Sequence, residues 1–360
     1  MTKQKHALAN RPWMRAIVQR TTGGVDVLVA EDLPRPPVRA RDVLIRVRAC
    51  GVCFHDIVVR NGTMKAGVEL PVIPGHEIAG VVEEAGSDVT QFKSGDRVAT
   101  TQRYHVCGMC RFCRGGLEPL CQQRRFLGDH GLVGGYAEYV AVEVDNVVHT
   151  PDNVTDEQAA IAACSIGTAL NAVREVGRIA INDRVLVTGA GGGVGVHAVQ
   201  LARLAGAYVI AQTTSPDKAS LLESLGAHAV LVTARGEDFS TRVRELTSGE
   251  GVEAVVDNVG TVAFDAMRRS LGVNGRWILV GQLTGDFVPF NPAQLFLRNQ
   301  SMLSVHSTSR KQLEDCLALI ARGDVKPVVS GVHPLSEIRQ VHERVERGGV
   351  PGRLVVRPGG

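Results

Sequence analysis

The sequence predicts an α/β protein in which an irregular, mostly β domain is joined to a doubly wound parallel six-stranded sheet. Three observations predict it. Between about Asp183 and Val305, short apolar runs alternate with segments of helical spacing. A glycine-rich turn stands at the head of that stretch, and the first 160 residues hold short strands broken by Gly, Pro and Asp. Six strands with helical crossovers pair in parallel and are covered on both faces.

The elements follow in order. Val43-Leu44-Ile45-Arg46-Val47 alternates as a strand, and Ser94-Gly95-Asp96-Arg97 and Gly134-Gly135-Tyr136 read as turns. The parallel strands are Arg184–Thr188, Tyr208–Gln212, Ala229–Val232, Ala254–Asp257, Trp277–Val280 and Met302–Val305. Val196, Val199, Leu201 and Leu204 mark one crossover helix, and Ser215-Pro216 supplies an N-cap and first-turn proline for another that ends at Gly226. A helix over about Arg310–Ala321 and a last strand, Leu354-Val355-Val356, close the chain. The family resemblance given below implies that they return to the first domain, so that the expected division is 1–164 with 306–360, and 165–305 between them.

The 360 residues suffice for two domains, and 44% hydrophobic with 21% charged residues is a globular composition. A net charge of +3 offers no electrostatic footprint for nucleic acid or a membrane surface. The N-terminus has no apolar signal core, and Ala159–Val173 is too short and mixed to span a bilayer. The expectation is a soluble, cytoplasmic protein whose first twelve residues form a loose tail.

Val185-Leu186-Val187-Thr188 leads into Gly189-Ala190-Gly191-Gly192-Gly193-Val194-Gly195. Such glycines make a tight turn, admit a pyrophosphate and aim a helix N-terminus at it, so this is a dinucleotide site. Sites for NAD usually place an acid at the end of the next strand. Here Thr213, Thr214 and Ser215 stand there, with Lys218 near, and no acid precedes Asp217. The reading is NADP(H), which carries a 2′-phosphate. The alternative is that Asp217 swings in for NAD(H).

Cys107, Cys110 and Cys113 fall at three-residue spacing and Cys121 follows. Four thiolates so close can wrap one tetrahedral zinc with no open position, a structural site; an iron–sulfur cluster is the alternative. Cys50 and Cys316 read as buried apolar residues.

Gly51-Val52-Cys53-Phe54-His55-Asp56, Pro74-Gly75-His76-Glu77, the four-cysteine loop at 107–121, the glycine-rich turn and Cys164 together resemble the zinc-dependent alcohol dehydrogenases of the medium-chain dehydrogenase/reductase superfamily, over roughly residues 14 to 357. The resemblance implies a GroES-like catalytic domain and a Rossmann domain with a cleft between them. It puts a catalytic zinc on Cys53, His76 and Cys164, hence two zincs per chain. It implies that Asp56 orients His76, that Glu77 approaches the metal or forms a structural ion pair, that Thr168 packs on the nicotinamide, and that Arg353 reaches the cofactor phosphates. Three ligands leave one position for a substrate oxygen, whose pKa zinc lowers. The implied activity is interconversion of a small-molecule alcohol with an aldehyde or ketone, by a homodimer or homotetramer.

One departure stands out. Where the family usually has Ser or Thr, this chain has His55, and the family's further relay histidine falls at Val58. Phe54 replaces a residue that in some members is a phosphate-binding arginine. His55 is read as a proton relay, with a fixed neutral imidazole as the alternative. The departure keeps open an NADPH-dependent ene reductase of the acryloyl-CoA type, and more remotely a non-catalytic binding protein. His105, His130 and His149 read as surface or core histidines. Arg60 and Lys65 read as surface residues, with an anionic substrate the alternative.

Overall fold

The computed structural model describes residues 12–64 and 66–359. The N-terminal tail and Lys65 lie outside the described residues. The chain opens with an antiparallel ribbon, β1 (Trp13–Gln19) and β2 (Leu28–Pro34). It continues through β3 (Asp42–Val52), helix α1 (Phe54–Arg60), β4 (Glu77–Ala85), β5 (Arg97–Thr100), β6 (Arg103–His105), β7 (Arg125–Phe126), β8 (Tyr139–Glu143) and β9 (Val147–His149). A run of short helical pieces spans 156–176, two of them with π geometry.

Strands β10 (Arg184–Val187), β11 (Tyr208–Thr213), β12 (Ala229–Val232), β13 (Val252–Asp257), β14 (Leu271–Leu279) and β15 (Ser301–Ser304) follow, with helix α2 (Gly195–Leu204) after β10. All pair in parallel, in the order β12-β11-β10-β13-β14-β15. Each run expected from the sequence is a strand within a few residues, β14 starting earlier. Alternation explains the packing: Val185, Val187, Val209 and Ala211 enter one core, while Leu186, Ile210 and Trp277 enter another on the opposite face. Strand order reverses between β10 and β13, where a crevice opens beyond the strand ends.

Helix α3 (Arg310–Arg322), β16 (Val329–Pro334), helix α4 (Ile338–Arg347) and β17 (Arg353–Arg357) complete the chain. Strands β16 and β17 join β3, β4, β5 and β9 in the first sheet, so the C-terminal strand does return to the N-terminal half. Small side chains bring the two sheets together. Ala159–Ala163, Ala49, Ala79, Ala99 and Val355 share one core with the inner face of the parallel sheet. Ser215 precedes Pro216 as expected, but its side chain makes no cap bond, and Pro216–Lys218 is a single 3₁₀ turn before Ala219–Ser224.

Candidate active site

The start of α1 builds one side of the cleft. Cys53 is its N-cap: its sulfur accepts from the His55 amide at 3.4 Å, and its own amide donates to Asp56 Oδ2 at 2.8 Å. Across the cleft, Cys164 sits in the π-helical segment Ala162–Gly167. The Cys53 and Cys164 sulfurs lie 3.9 Å apart. Two thiolates on one tetrahedral zinc stand about 3.8 Å apart, so the pair fits that ion. His76 turns Nδ1 to Asp56 Oδ1 at 3.2 Å, which leaves Nε2 for a metal. Ligand atoms of Cys53, His76, Glu77 and Cys164 all lie within 4.8 Å of one another, and all four residues are buried.

Charge is balanced inside this cluster. The Cys164 contact holds the Cys53 thiol well below its ordinary range; burial opposes this and Arg353 supports it. Burial disfavours a charged His76, yet the Asp56 carboxylate and the Cys53 sulfur carry it well above its usual value. Glu77 is fully buried; burial raises its pKa against the pull of Arg353. Arg353 Nη2 reaches a Glu77 oxygen at 2.7 Å, Cys53 Sγ at 3.2 Å and Cys164 Sγ at 3.5 Å. Its guanidinium therefore faces the Cys53–Glu77–Cys164 cluster. It also overlies Gly193, where a Cβ would stand 2.4 Å from Nη1, so a side chain there would push the guanidinium aside.

Gly189 takes φ +56°, a left-handed turn, at the end of β10. Gly191, Gly192, Val194 and Gly195 continue along the cleft wall to α2. Thr213, Thr214, Ser215 and Lys218 line the same end of the cleft. Lys218 Nζ donates to the Val350 carbonyl at 3.0 Å. Thr168, nearly buried, lines the middle beside Cys164. Arg235, in the turn after β12, and Arg347, at the end of α4, line the cleft too and had no signal in the sequence, since they come from segments far from the glycine-rich turn.

His55 also enters the cleft, its ring 5.1 Å from that of His76. Its Nε2 bonds Asp129 Oδ1 at 2.8 Å. Burial lowers the His55 pKa, but Asp129 raises it more, and the balance is upward. Asp129 lies 74 residues away on an irregular turn, beyond the reach of periodicity or motif. Tyr136 and His342 were equally invisible: the Tyr136 hydroxyl donates to Asp56 Oδ2 and contacts His342 Nε2, both at 3.1 Å. One expectation is corrected. Arg60 is not a surface residue but is 2% exposed, paired with Glu346 at 2.6 Å, because α4 packs over α1. Val58 lines the cleft. His105 pairs with Glu143 at 2.7 Å, and Cys50 and Cys316 are buried.

Cys107, Cys110, Cys113 and Cys121 converge in a second set, with ligand atoms within 4.8 Å. Sulfur–sulfur distances of 3.6 and 3.9 Å fit one tetrahedral zinc. Amides of Cys110, Cys113 and Cys107 donate to the sulfurs of Cys107, Cys110 and Cys121. Backbone amides of Met109 and Cys110 push the Cys107 thiol down to about 6, readying it to bind metal as thiolate.

Residues 39–152 match the family model described as an alcohol dehydrogenase GroES-like domain, and residues 193–322 match that of a zinc-binding dehydrogenase. An alcohol dehydrogenase of Geobacillus stearothermophilus is 34% identical, over 92% of this chain and 96% of that protein. An acryloyl-coenzyme A reductase of Sulfurisphaera tokodaii is 31% identical, over 91% of this chain and 96% of its own length. The crystal structure of AibC superposes with a TM-score of 0.89 at 40% identity, covering 98% of this chain and 97% of the other.

Proposed function

Because this chain belongs to the zinc-dependent alcohol dehydrogenase family of the medium-chain dehydrogenase/reductase superfamily and is an NAD(P)-dependent oxidoreductase, we propose that it interconverts a small alcohol with its aldehyde or ketone in the cleft between its two sheets. The observation that carries this is the convergence of Cys53, His76 and Cys164 on one point beside the glycine-rich turn. These three residues would hold a catalytic zinc, and Cys107, Cys110, Cys113 and Cys121 a structural one, two per chain. When bound, the zinc supplies Lewis acidity toward a substrate oxygen, and the nicotinamide supplies or accepts hydride.

The chain's own residues do the rest. Asp56 orients the His76 ring, with Tyr136 holding Asp56 from behind. Glu77 offers a fourth donor atom, a carboxylate oxygen, near the ligands while pairing with Arg353, which spans the ligand set and the glycine turn. On this reading Arg353 serves both, neutralising thiolates and facing the cofactor phosphates. Asp129 accepts a hydrogen bond from His55 Nε2–H, so that Nδ1 is the nitrogen left to accept or return a proton in the cleft. Thr168 would back the nicotinamide, and Gly189 to Gly195 would cradle the pyrophosphate.

NADP(H) is preferred on this reading. Thr213, Thr214, Ser215 and Lys218 present hydroxyls and one cation, and Arg235 and Arg347 line the same cleft. Residues 1–164 with 306–360 are the proposed catalytic domain and 165–305 the cofactor domain. The parallel sheet ends at β15, an unpaired edge flanked by exposed Phe296 and Leu297, which supports a homodimer through that edge. No helix among the described residues is long and apolar enough to cross a membrane; a cytoplasmic site of action is part of the proposal.

A second reading is reduction of an activated C=C in an enoyl thioester. His55 at the position of the family's hydroxyl supports it, as does the likeness to an acryloyl-coenzyme A reductase. Turnover assays with NADPH and NADH against aldehydes, ketones and enoyl thioesters decide between them. Turnover of aldehydes or ketones that vanishes on zinc removal supports the first reading; turnover of enoyl thioesters alone overturns it.

A further inference from the structure

Arg103 opens β6, four residues before Cys107, and is fully buried. It donates from Nη1 to Ser307 Oγ at 2.8 Å and from Nη2 to the Thr308 carbonyl at 2.7 Å. These two residues follow β15, where the chain crosses back toward the first sheet. Two more bonds hold the same point. The Ser307 hydroxyl donates to Gln102 Oε1 at 2.6 Å, and Asn171 Nδ2 donates to the Ser307 carbonyl at 2.9 Å. Ser307 has φ +60°, a left-handed conformation that is unfavourable for a non-glycine residue and persists only where its surroundings impose it. The next residue backs the cleft: the Thr308 hydroxyl donates to the carbonyl of Ala163, the neighbour of Cys164, at 2.6 Å. Gly167 admits Thr308 there, since a Cβ on it would stand 2.5 Å away.

A buried guanidinium needs a countercharge. Among the described residues Arg103 bonds a hydroxyl and a carbonyl rather than a carboxylate, and its Nε has no partner. Burial lowers its pKa to about 10, so it stays charged at neutral pH; Glu118 and the sulfurs of Cys113 and Cys121 support the charge, and Arg124 opposes it. All three supporters belong to the four-cysteine loop. Four thiolates around a divalent ion leave a net negative charge, so the loaded loop is the natural partner of this cation. Glu118 grips the same crossover a second time by accepting from the Arg310 amide.

We infer that Arg103 is a positioning residue that ties the four-cysteine metal loop to the crossover at 306–309 and so sets the cleft wall behind Cys164. The inference rests on reading this cleft as the active site. The four-cysteine site then does more than brace its own loop: its negative charge holds Arg103, and Arg103 holds Ser307 in its strained conformation.

Hydrogen exchange of amides 305–310, metal content and the Kd for NADPH, all on the full-length zinc-loaded protein, test this. Arg103→Met should keep both metals, speed exchange of those amides and weaken NADPH binding roughly tenfold or more. Arg103→Lys should recover part of both effects. Ser307→Gly relieves the strain yet deletes the hydroxyl, so it should melt above Ser307→Ala while both bind NADPH more weakly. Cys110→Ser should loosen 305–310 as well, and adding Arg103→Met to it should change little further. Wild-type exchange and NADPH affinity in Arg103→Met, or fully additive effects with Cys110→Ser, overturn the inference. If Arg103→Met does not fold, unchanged exchange in Arg103→Lys and Cys110→Ser overturns it equally. Exchange and cofactor affinity do not depend on which substrate is turned over, so failure of the alcohol dehydrogenase reading would appear separately, in the substrate assays.

Discussion

His55 shows how one residue can be legible in position and not in setting. The sequence marks it as a histidine where a hydroxyl is usual, two residues after Cys53. Its partner Asp129 comes from the turn after β7, is 5% exposed, and has no motif of its own. A histidine held on Nε2 by a carboxylate presents Nδ1 in one tautomer, the arrangement that general acid–base catalysis needs. His55→Ala should therefore cut kcat by roughly 10²–10⁴-fold while both zincs are retained. His55→Ser should restore part of the rate. Unchanged steady-state kinetics in His55→Ala would eliminate the proton role. A second prediction at this scale concerns Thr214, at the cofactor end of the cleft. Thr214→Asp should repel a 2′-phosphate and narrow or reverse the preference for NADPH, read as the ratio of kcat/KM for the two cofactors. A wild type that prefers NADH would refute the assignment.

At the scale of elements, the cysteine loop and α2 differ in what holds them. The loop at 107–121 has only a four-residue helix and a single 3₁₀ turn, and it exposes Met109 and Leu117. A segment with so little apolar burial depends on its metal. Cys110→Ser should lose one zinc and lower the melting temperature markedly, whereas Cys53→Ser should lose the other zinc with a smaller change in melting. Helix α2 is held by burial and by His197. The His197 Nδ1–H donates to the Gly193 carbonyl at 2.7 Å, and Nε2 accepts from the Val328 amide at 3.2 Å. Only the neutral ring can accept from Val328, and burial pushes its pKa down to about 4 from 6.5, against the Gly193 bond, which favours the charged form. Between those values the unfolded chain binds more protons than the folded one, so stability is full above pH 6.5 and falls as pH drops toward 4. The loss is on the order of 3 kcal/mol. Denaturant titrations at several pH values should show it, and His197→Gln should flatten that part of the profile relative to wild type. An equal slope in the variant would mean that other groups carry the acid sensitivity.

For the whole molecule, metal is the decisive measurement. Elemental analysis should return two zincs per chain, and mild chelation should remove the cleft metal, abolishing turnover, before the protein unfolds. One zinc in fully active wild type would refute the catalytic site on Cys53, His76 and Cys164. The two sheets meet through small side chains from 159–163, and β17 docks on the glycine turn, where the Gly352 amide donates to the Gly191 carbonyl at 3.2 Å. This docking carries Arg353 to Glu77, 276 residues away in sequence.

The sequence by itself determined what repeats or is spaced. The six parallel strands were readable because buried strands demand continuous apolar runs, and the glycine turn because a pyrophosphate excludes side chains. The convergence of the cysteine loop was readable because four cysteines fell within fifteen residues. The convergence of Cys53, His76 and Cys164 was readable only as a pattern shared with a family. Tertiary structure alone decided the partners: Asp129 for His55, Tyr136 and His342 behind Asp56, Glu346 for a buried Arg60, and the grip of Arg103 on Ser307. Each of these joins residues far apart in the chain by one short polar bond. Such a bond leaves no periodicity in either segment, and its cost or benefit exists only once folding has removed both groups from water.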